Sequence, residues 1–380
     1  MIFTWREPTS ALSRTRNSTV CRAENRLSQV SSIIQDDVNR ITELDLPWEQ
    51  LRDARILVTG ASGMIPSYTV LSLLAANDAH GLGIVVYALA RNAEKMTRLY
   101  GDLLEREDLV FIQQDVVTPI EGLSGITHVI HGASAAQPKN HAKDPAGTIA
   151  ANVLGTHNLL EFCREVGAKS FTMMSSAEIY GNVPGEVHLI EEDQYGGVDI
   201  LNPRACYTEG KRASETFSAV YNYQFGIKNT VARFGHIYGP GIALDDGRVQ
   251  ADFARDMFEG QDIIMKSAGL AQRSYTYIGD AVAGMLAAIL KGEAGAYNVS
   301  DNTGLVSIRE LAETFLAARP ERHLELRFET ESDAFATNKV AFQGLSGTKL
   351  EGLGWKPQVT LAAGVDRWLR HLEELNSVAQ

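Results

Sequence analysis

Few stretches restrict a fold as tightly as "ARILVTGASGMIP", residues 54–66. A short β-branched run ends in Gly60, Gly63 follows three residues on, and "SYTVLSLLAAN" continues at helical spacing. A strand, a glycine turn and a helix in that order make the first half of a βαβ unit, whose turn is built to receive an anion. Gly60 permits the tight turn and Gly63 lets the backbone approach a phosphate. The helix starting near Met64 offers unpaired N–H groups and its positive end. Ser62, Met64 and Ile65 lie on the same turn. The third small residue expected there is Pro66 instead. Proline is tolerated in a first helical turn, where its missing N–H has no intrahelical partner, although it could shift the helix against the sheet.

The pattern repeats downstream. "GIVVYALA", "LVFIQQD", "THVIHGA" and "SFTMMSS" read as further strands, separated by helices over Ala93–Glu105 and about Ala146–Val166. These strands are apolar throughout rather than alternating, which implies a parallel sheet covered on both faces. "TVARFGHIYG" is another strand and "AVAGMLAAILKG" a helix closed by Gly292, set among Gly- and Asp-rich loops. The expected fold is a Rossmann-type, doubly wound α/β sheet with a smaller C-terminal substrate-binding lobe. Its parts are an arm and lead-in helix (1–50, the helix over Ile33–Leu51), a dinucleotide-binding core (51–180), and remaining sheet elements interleaved with the lobe (181–380).

Net charge is −12 over 380 residues, which argues against a nucleic-acid partner but leaves room for a local basic pocket. No apolar run reaches membrane-spanning length. The Ser-, Thr- and Arg-rich residues 1–29 lack an apolar core and contain Glu7 and Glu24, so they read as a polar arm rather than a transit peptide. Three cysteines, Cys21, Cys163 and Cys206, form no CxxC pair, and a reducing cytoplasm is the default. His128 and His131 point to opposite faces of a strand, so no metal site is expected.

Cofactor choice is read at the strand ends. "YALARNAEK" carries no acid for an adenosine ribose. Arg91 could accept a 2′-phosphate or be a solvated first-turn residue, so NADP stands beside NAD. Asp115, with Val116 after it, is a partner for the adenine, and Gly132–Ala133 ends the fourth strand beside the cofactor. Tyr207 and Lys211 in "CYTEGKR" share one helix face. An ammonium near a phenol favours phenolate, which supplies a general base for an alcohol losing hydride. Ser176, ending the fifth strand, could hydrogen-bond the same substrate oxygen.

With "HGAS", "ANVLGTHNLLE", "SSAEIYG", "CYTEGKR", "RFGHIYGP" and "QRSYTYIGD", the chain resembles the extended short-chain dehydrogenases/reductases over Arg55–Leu369. That family comprises nucleotide-sugar epimerases, dehydratases and decarboxylases. The resemblance implies that Tyr207 and Lys211 act as above, with Lys211 also on the nicotinamide ribose, and that the enzyme is a homodimer through two helices on one sheet face. Dehydratases carry Asp-Glu where this chain has Ala177-Glu178, and simple epimerases carry small or apolar residues at both places. A glutamate without the aspartate resembles the UDP-glucuronate decarboxylase branch, as does "LDDGRV", which reads otherwise as a plain turn. Arg273, His236, Arg248, Val249 and Tyr277 are then the candidate contacts to a UDP-sugar. Glu178 is the candidate for ring positioning or proton handling, or else a capping carboxylate, and the alternative for Arg273 is a brace for the lobe. His236 and Gly241 depart from the branch, which carries Asn and often Arg there. The alternatives are a 4-epimerase acting on a uronic acid or hexose, then a 4,6-dehydratase, and, from another class, a non-catalytic dinucleotide-binding protein.

Overall fold

The computed structural model describes residues 30–184, 189–329 and 342–379; the arm at 1–29 and Cys21 lie outside them. The chain runs through α1 (Ser32–Thr42), β1 (Arg55–Thr59), α2 (Met64–His80), β2 (Val85–Ala90), α3 (Ala93–Tyr100), β3 (Leu109–Gln113), β4 (His128–His131), α4 (Pro138–Lys143), α5 (Pro145–Val166), β5 (Ser170–Ser176) and α6 (Ala205–Phe225). It continues as β6 (Lys228–Phe234), β7 (His236–Tyr238), α7 (Val249–Glu259), β8 (Ile263–Met265), β9 (Gln272–Tyr277), α8 (Ile278–Lys291) and β10 (Gly295–Val299). Then come β11 (Leu305–Ser307), α9 (Ile308–Ala317), β12 (Leu326–Phe328), β13 (Phe342–Gln343), α10 (Thr348–Glu351) and α11 (Leu361–Ala379).

Seven strands form one parallel sheet in the order β10-β6-β5-β4-β1-β2-β3. Alternate residues of each strand feed two cores. Ile56, Val58, Val86 and Ala88 face α2 and α8, whereas Leu57, Leu89, Val129 and Phe171 face α5 and α6. This two-sided burial is why the strands read as unbroken apolar runs. The order reverses between β1 and β4, so a crevice opens there at the carboxyl ends of the strands. A second, four-stranded sheet of β7, β9, β11 and β13 stands beside that crevice, and β8 pairs with β12.

Three elements differ from their sequence reading. The lead-in helix stops at Thr42, whose hydroxyl donates to the Asn39 carbonyl; Pro47 then precedes a separate single turn, Trp48–Leu51. The Ala93–Glu105 helix breaks at Gly101, a position with φ of 49°. "TVARFGHIYG" is two strands: Gly235 donates its N–H to Val299, and the chain then leaves the large sheet to pair with β9. Among the described residues, no helix is long and apolar enough to cross a membrane.

Candidate active site

On the cofactor side, the β1–α2 turn meets the end of β4 at close range. Gly60 has φ of 71°, and a Cβ on it would lie 2.7 Å from the Ala133 nitrogen and 2.8 Å from the Gly132 carbonyl carbon. The turn therefore needs glycine for both conformation and clearance. Gly63 caps α2 in extended conformation, and no side chain caps the helix. Ser62 lies in this turn, and Met64 and Ile65 open the helix. Pro66 is buried in that first turn and packs on Gly132, where a Cβ would come within 2.5 Å of its Cγ and 2.7 Å of the Met174 sulfur. The bulk gained at position 66 is thus accommodated by the missing side chain at position 132. Ser67 still donates to the Gly63 carbonyl at 2.9 Å, so the helix is regular across the proline. A bare glycine cradle against an uncapped helix start fits a dinucleotide pyrophosphate.

At the neighbouring strand ends, Arg91 reaches Asp115 at 3.3 Å with its own side chain 75% exposed. Val116 is buried under α5, its carbonyl receiving the Asn158 amide at 3.0 Å. His131 is buried and hydrogen-bonds Thr59 through Nδ1 at 2.8 Å. Among the described residues, no group of three or more metal-ligating side chains forms.

The candidate catalytic residues converge where β5 ends above α6. Ser176 accepts from the Glu178 N–H at 3.3 Å, fixing the turn Ala177–Tyr180. Tyr207 is buried, and burial pushes its phenol up to about 12; the Ser176 hydroxyl, hydrogen-bonded to it, opposes this, Glu178 adds to it, and Arg248 opposes it. Lys211 lies one turn further, 2% exposed, and burial lowers its ammonium to about 8 against the pull of Glu215. Its Nζ donates to the Met174 carbonyl at 2.8 Å and stands 5.8 Å from the Tyr207 ring centre. The ammonium thus lies over the phenol ring while donating to the strand backbone, and the Ser176 hydroxyl and Arg248 oppose the rise of the phenol.

Across the cleft stands a cationic wall in an acidic protein. Glu178 opens onto the cleft, yet the surrounding protein still raises its carboxyl pKa, opposed by Arg204 and Arg273. Arg273 is 7% exposed and donates to the Gln272 carbonyl at 2.7 Å. His236 has a buried Nδ1 without a partner. Burial, reinforced by Arg273 and Arg248, holds its imidazole down to about 3, hence neutral. Asp246 anchors Arg248 through Nε at 2.6 Å, and Val249 begins α7 beside it. Gly241 has φ of 94°, and a Cβ there would lie 3.2 Å from Met64 Cγ. A side chain at that position would be strained and would press on the cofactor helix.

Tyr277 is a correction. Its phenol donates to Asp37 of α1 at 2.6 Å, and the residue is 1% exposed. With Tyr68 and Arg367 it belongs to a buried cluster behind the sheet, away from the cleft. Sequence reasoning also missed two residues. Arg204 lies one helical turn before Tyr207, a spacing visible in "NPRACY". His141 stacks on the Tyr207 ring with centroids 4.5 Å apart, and nothing in "PKNHAKDP" announces that contact.

Comparison with known proteins agrees with this geometry. A model of the NAD dependent epimerase/dehydratase family matches residues 56–300. UDP-glucuronic acid decarboxylase 1 of Arabidopsis thaliana is 32% identical over 82% of this chain and 68% of its own length. The UDP-glucose 4-epimerase of Thermus thermophilus, solved with NAD, superposes with a TM-score of 0.68 at 27% identity, covering 84% of this chain and 99% of that one. The UDP-glucuronic acid 4-epimerase of Bacillus cereus, solved with UDP-glucuronic acid and NAD, gives 0.71 at 23% identity over 84% and 99%.

Proposed function

The chain belongs to the NAD dependent epimerase/dehydratase family, and from that premise we propose that it is a nucleotide-sugar decarboxylase acting on UDP-glucuronate. Oxidation at C4 is followed by loss of carbon dioxide, giving the UDP-4-keto-pentose or, after reduction, UDP-xylose. The observation that carries this reading is Glu178: a single carboxylate without an acidic neighbour, opposed by Arg204 and Arg273 across the cleft from Tyr207.

Gly60, Ser62, Gly63, Met64 and Ile65 hold the cofactor's diphosphate, Asp115 and Val116 its adenine end, and Gly132, Ala133 and Lys211 its nicotinamide half. NAD, when bound, supplies the hydride acceptor. The pairing of Arg91 with Asp115 favours NAD over NADP, because the one candidate for a 2′-phosphate is already engaged. Tyr207 takes the proton of the 4-hydroxyl, and Ser176 hydrogen-bonds the same oxygen. A 4-keto uronate is a β-keto acid. Its bond to the carboxylate breaks with the electron pair passing into the C4 carbonyl, so carbon dioxide leaves and an enolate remains. Glu178, whose raised pKa makes it a better donor near neutrality, protonates the ring carbon. Arg273 orients the carboxylate by charge-assisted hydrogen bonds. Arg248 and Val249 receive the UDP diphosphate, and neutral His236 faces the sugar.

Incubation with UDP-glucuronate and NAD, followed by NMR of the sugar products, tests this directly. UDP-xylose or its 4-keto precursor is the expected product. UDP-galacturonate with its carboxylate intact would replace the decarboxylase reading with 4-epimerisation.

A further inference from the structure

Helix α4 carries two side chains that this chemistry leaves unused. His141 lies over Tyr207 with ring centroids 4.5 Å apart and planes 17° from parallel. Its Nε2 meets the Ala135 carbonyl. A carbonyl only accepts, so Nε2 carries the proton and Nδ1 is bare in the neutral ring. Burial lowers the imidazole pKa, and although the Ala135 carbonyl opposes this, Arg204, Arg248 and Lys211 push the same way. The ring is therefore neutral at pH 7 and contributes shape rather than charge. Two residues earlier, Lys139 reaches across the cleft to Asp245 Oδ2 at 2.7 Å and to the Asp245 carbonyl. The adjacent Asp246 holds Arg248, whose charge acts on Tyr207. The loops after β4 and β7 are thus tied together over the catalytic tyrosine.

We propose that His141 is a positioning residue: anchored at Ala135 and braced by Lys139–Asp245, its ring packs on a face of Tyr207, fixing the phenol toward Ser176 and keeping water from it. The inference rests on Tyr207 being the base for C4 oxidation. Face contact removes rotational freedom from the phenol before substrate arrives. A base displaced by about 1 Å loses on the order of a hundredfold in rate.

Four variants of the full chain test it with UDP-glucuronate and NAD: His141→Ala, His141→Phe, Lys139→Ala and Tyr207→Phe. His141→Ala lowers kcat by about tenfold to a hundredfold with KM little changed, and His141→Phe, which keeps a flat ring, recovers most of it. Lys139→Ala, an exposed change that spares the fold, lowers kcat in the same direction by less. A second readout needs no substrate: ultraviolet titration of each protein against its Tyr207→Phe counterpart isolates this one phenol. The groups facing it are Ser176, Glu178, Arg248, Lys211 and His141. In His141→Ala the phenol titrates lower, toward the ordinary tyrosine range, as water reaches it; in His141→Phe it stays high. Unchanged kcat and titration in His141→Ala would overturn the proposal. So would equal losses in the alanine and phenylalanine variants, which would make the imidazole itself chemical. Full activity in Tyr207→Phe would instead sink the functional reading, and the titration would still decide whether His141 shields the ring.

Discussion

At the scale of single residues, three titratable groups are tuned in one cleft. Burial raises the phenol of Tyr207, which Ser176 and Arg248 oppose, and the same burial lowers the ammonium of Lys211 to about 8. Glu178 is raised for the same reason and is assigned the proton for the ring carbon. A Glu178→Gln variant keeps the shape and loses the donor. Its kcat should fall by about a hundredfold or more with KM nearly unchanged, read from steady-state kinetics on UDP-glucuronate; a change in KM alone would make Glu178 a binding group. The sequence disclosed these residues because each sits at a position fixed by local structure: Ser176 at a strand end, and Tyr207 and Lys211 one helical turn apart. It did not disclose His141, whose contact depends on α4 folding over a helix more than sixty residues away in the chain. It misassigned Tyr277 for a related reason. Successive strand residues point to opposite faces, and only the tertiary structure reveals that this phenol meets Asp37.

Among the elements, the β1–α2 junction shows how an irregular motif keeps a regular helix. Pro66 occupies space that a smaller residue would leave open, and Gly132 at the end of β4 provides it. Gly132→Ala would drive a methyl into the proline ring and the Met174 sulfur, destabilising the protein by about 1–3 kcal/mol. Adding Pro66→Ala should recover part of that loss, because the two sites share one contact. Denaturant melts of the two single variants and the double variant check this, and strictly additive losses would refute the pairing. The strand–helix alternation was legible because both faces of the sheet are covered, so burial leaves a plain apolar signature. The break at Gly235 was not legible. "TVARFGHIYG" is one continuous strand by local preference, and the chain changes sheets there because β10 and β9 offer two different partners.

Across the whole molecule, α1 joins the two ends of the described chain. Ser31 hydrogen-bonds His371 at 2.7 Å, Ser32 donates to Glu374, and Asp37 is buried among Tyr68, Tyr277 and Arg367. This helix lies upstream of the family-matched residues and covers α2 and α8, so the lead-in segment completes a core rather than merely preceding one. The opposite face is left with exposed apolar side chains on α5 and α6, namely Ile149, Leu154, Val220, Tyr223 and Phe225. We propose that two copies pair through these helices, since α5 and α6 pack side by side and together present these large apolar side chains to solvent. Sedimentation should find a dimer that Leu154→Glu with Tyr223→Glu converts to a monomer; a native monomer would refute it. Such a surface was legible only as a family expectation, because the sequence does not say which apolar residues remain uncovered. The central claim is tested most directly by supplying UDP-glucuronate labelled in its carboxyl carbon, with NAD, and following the label. The account predicts that the label leaves as carbon dioxide in step with formation of the pentose nucleotide, and that Tyr207→Phe abolishes both. Label retained in a uronic acid product would contradict it.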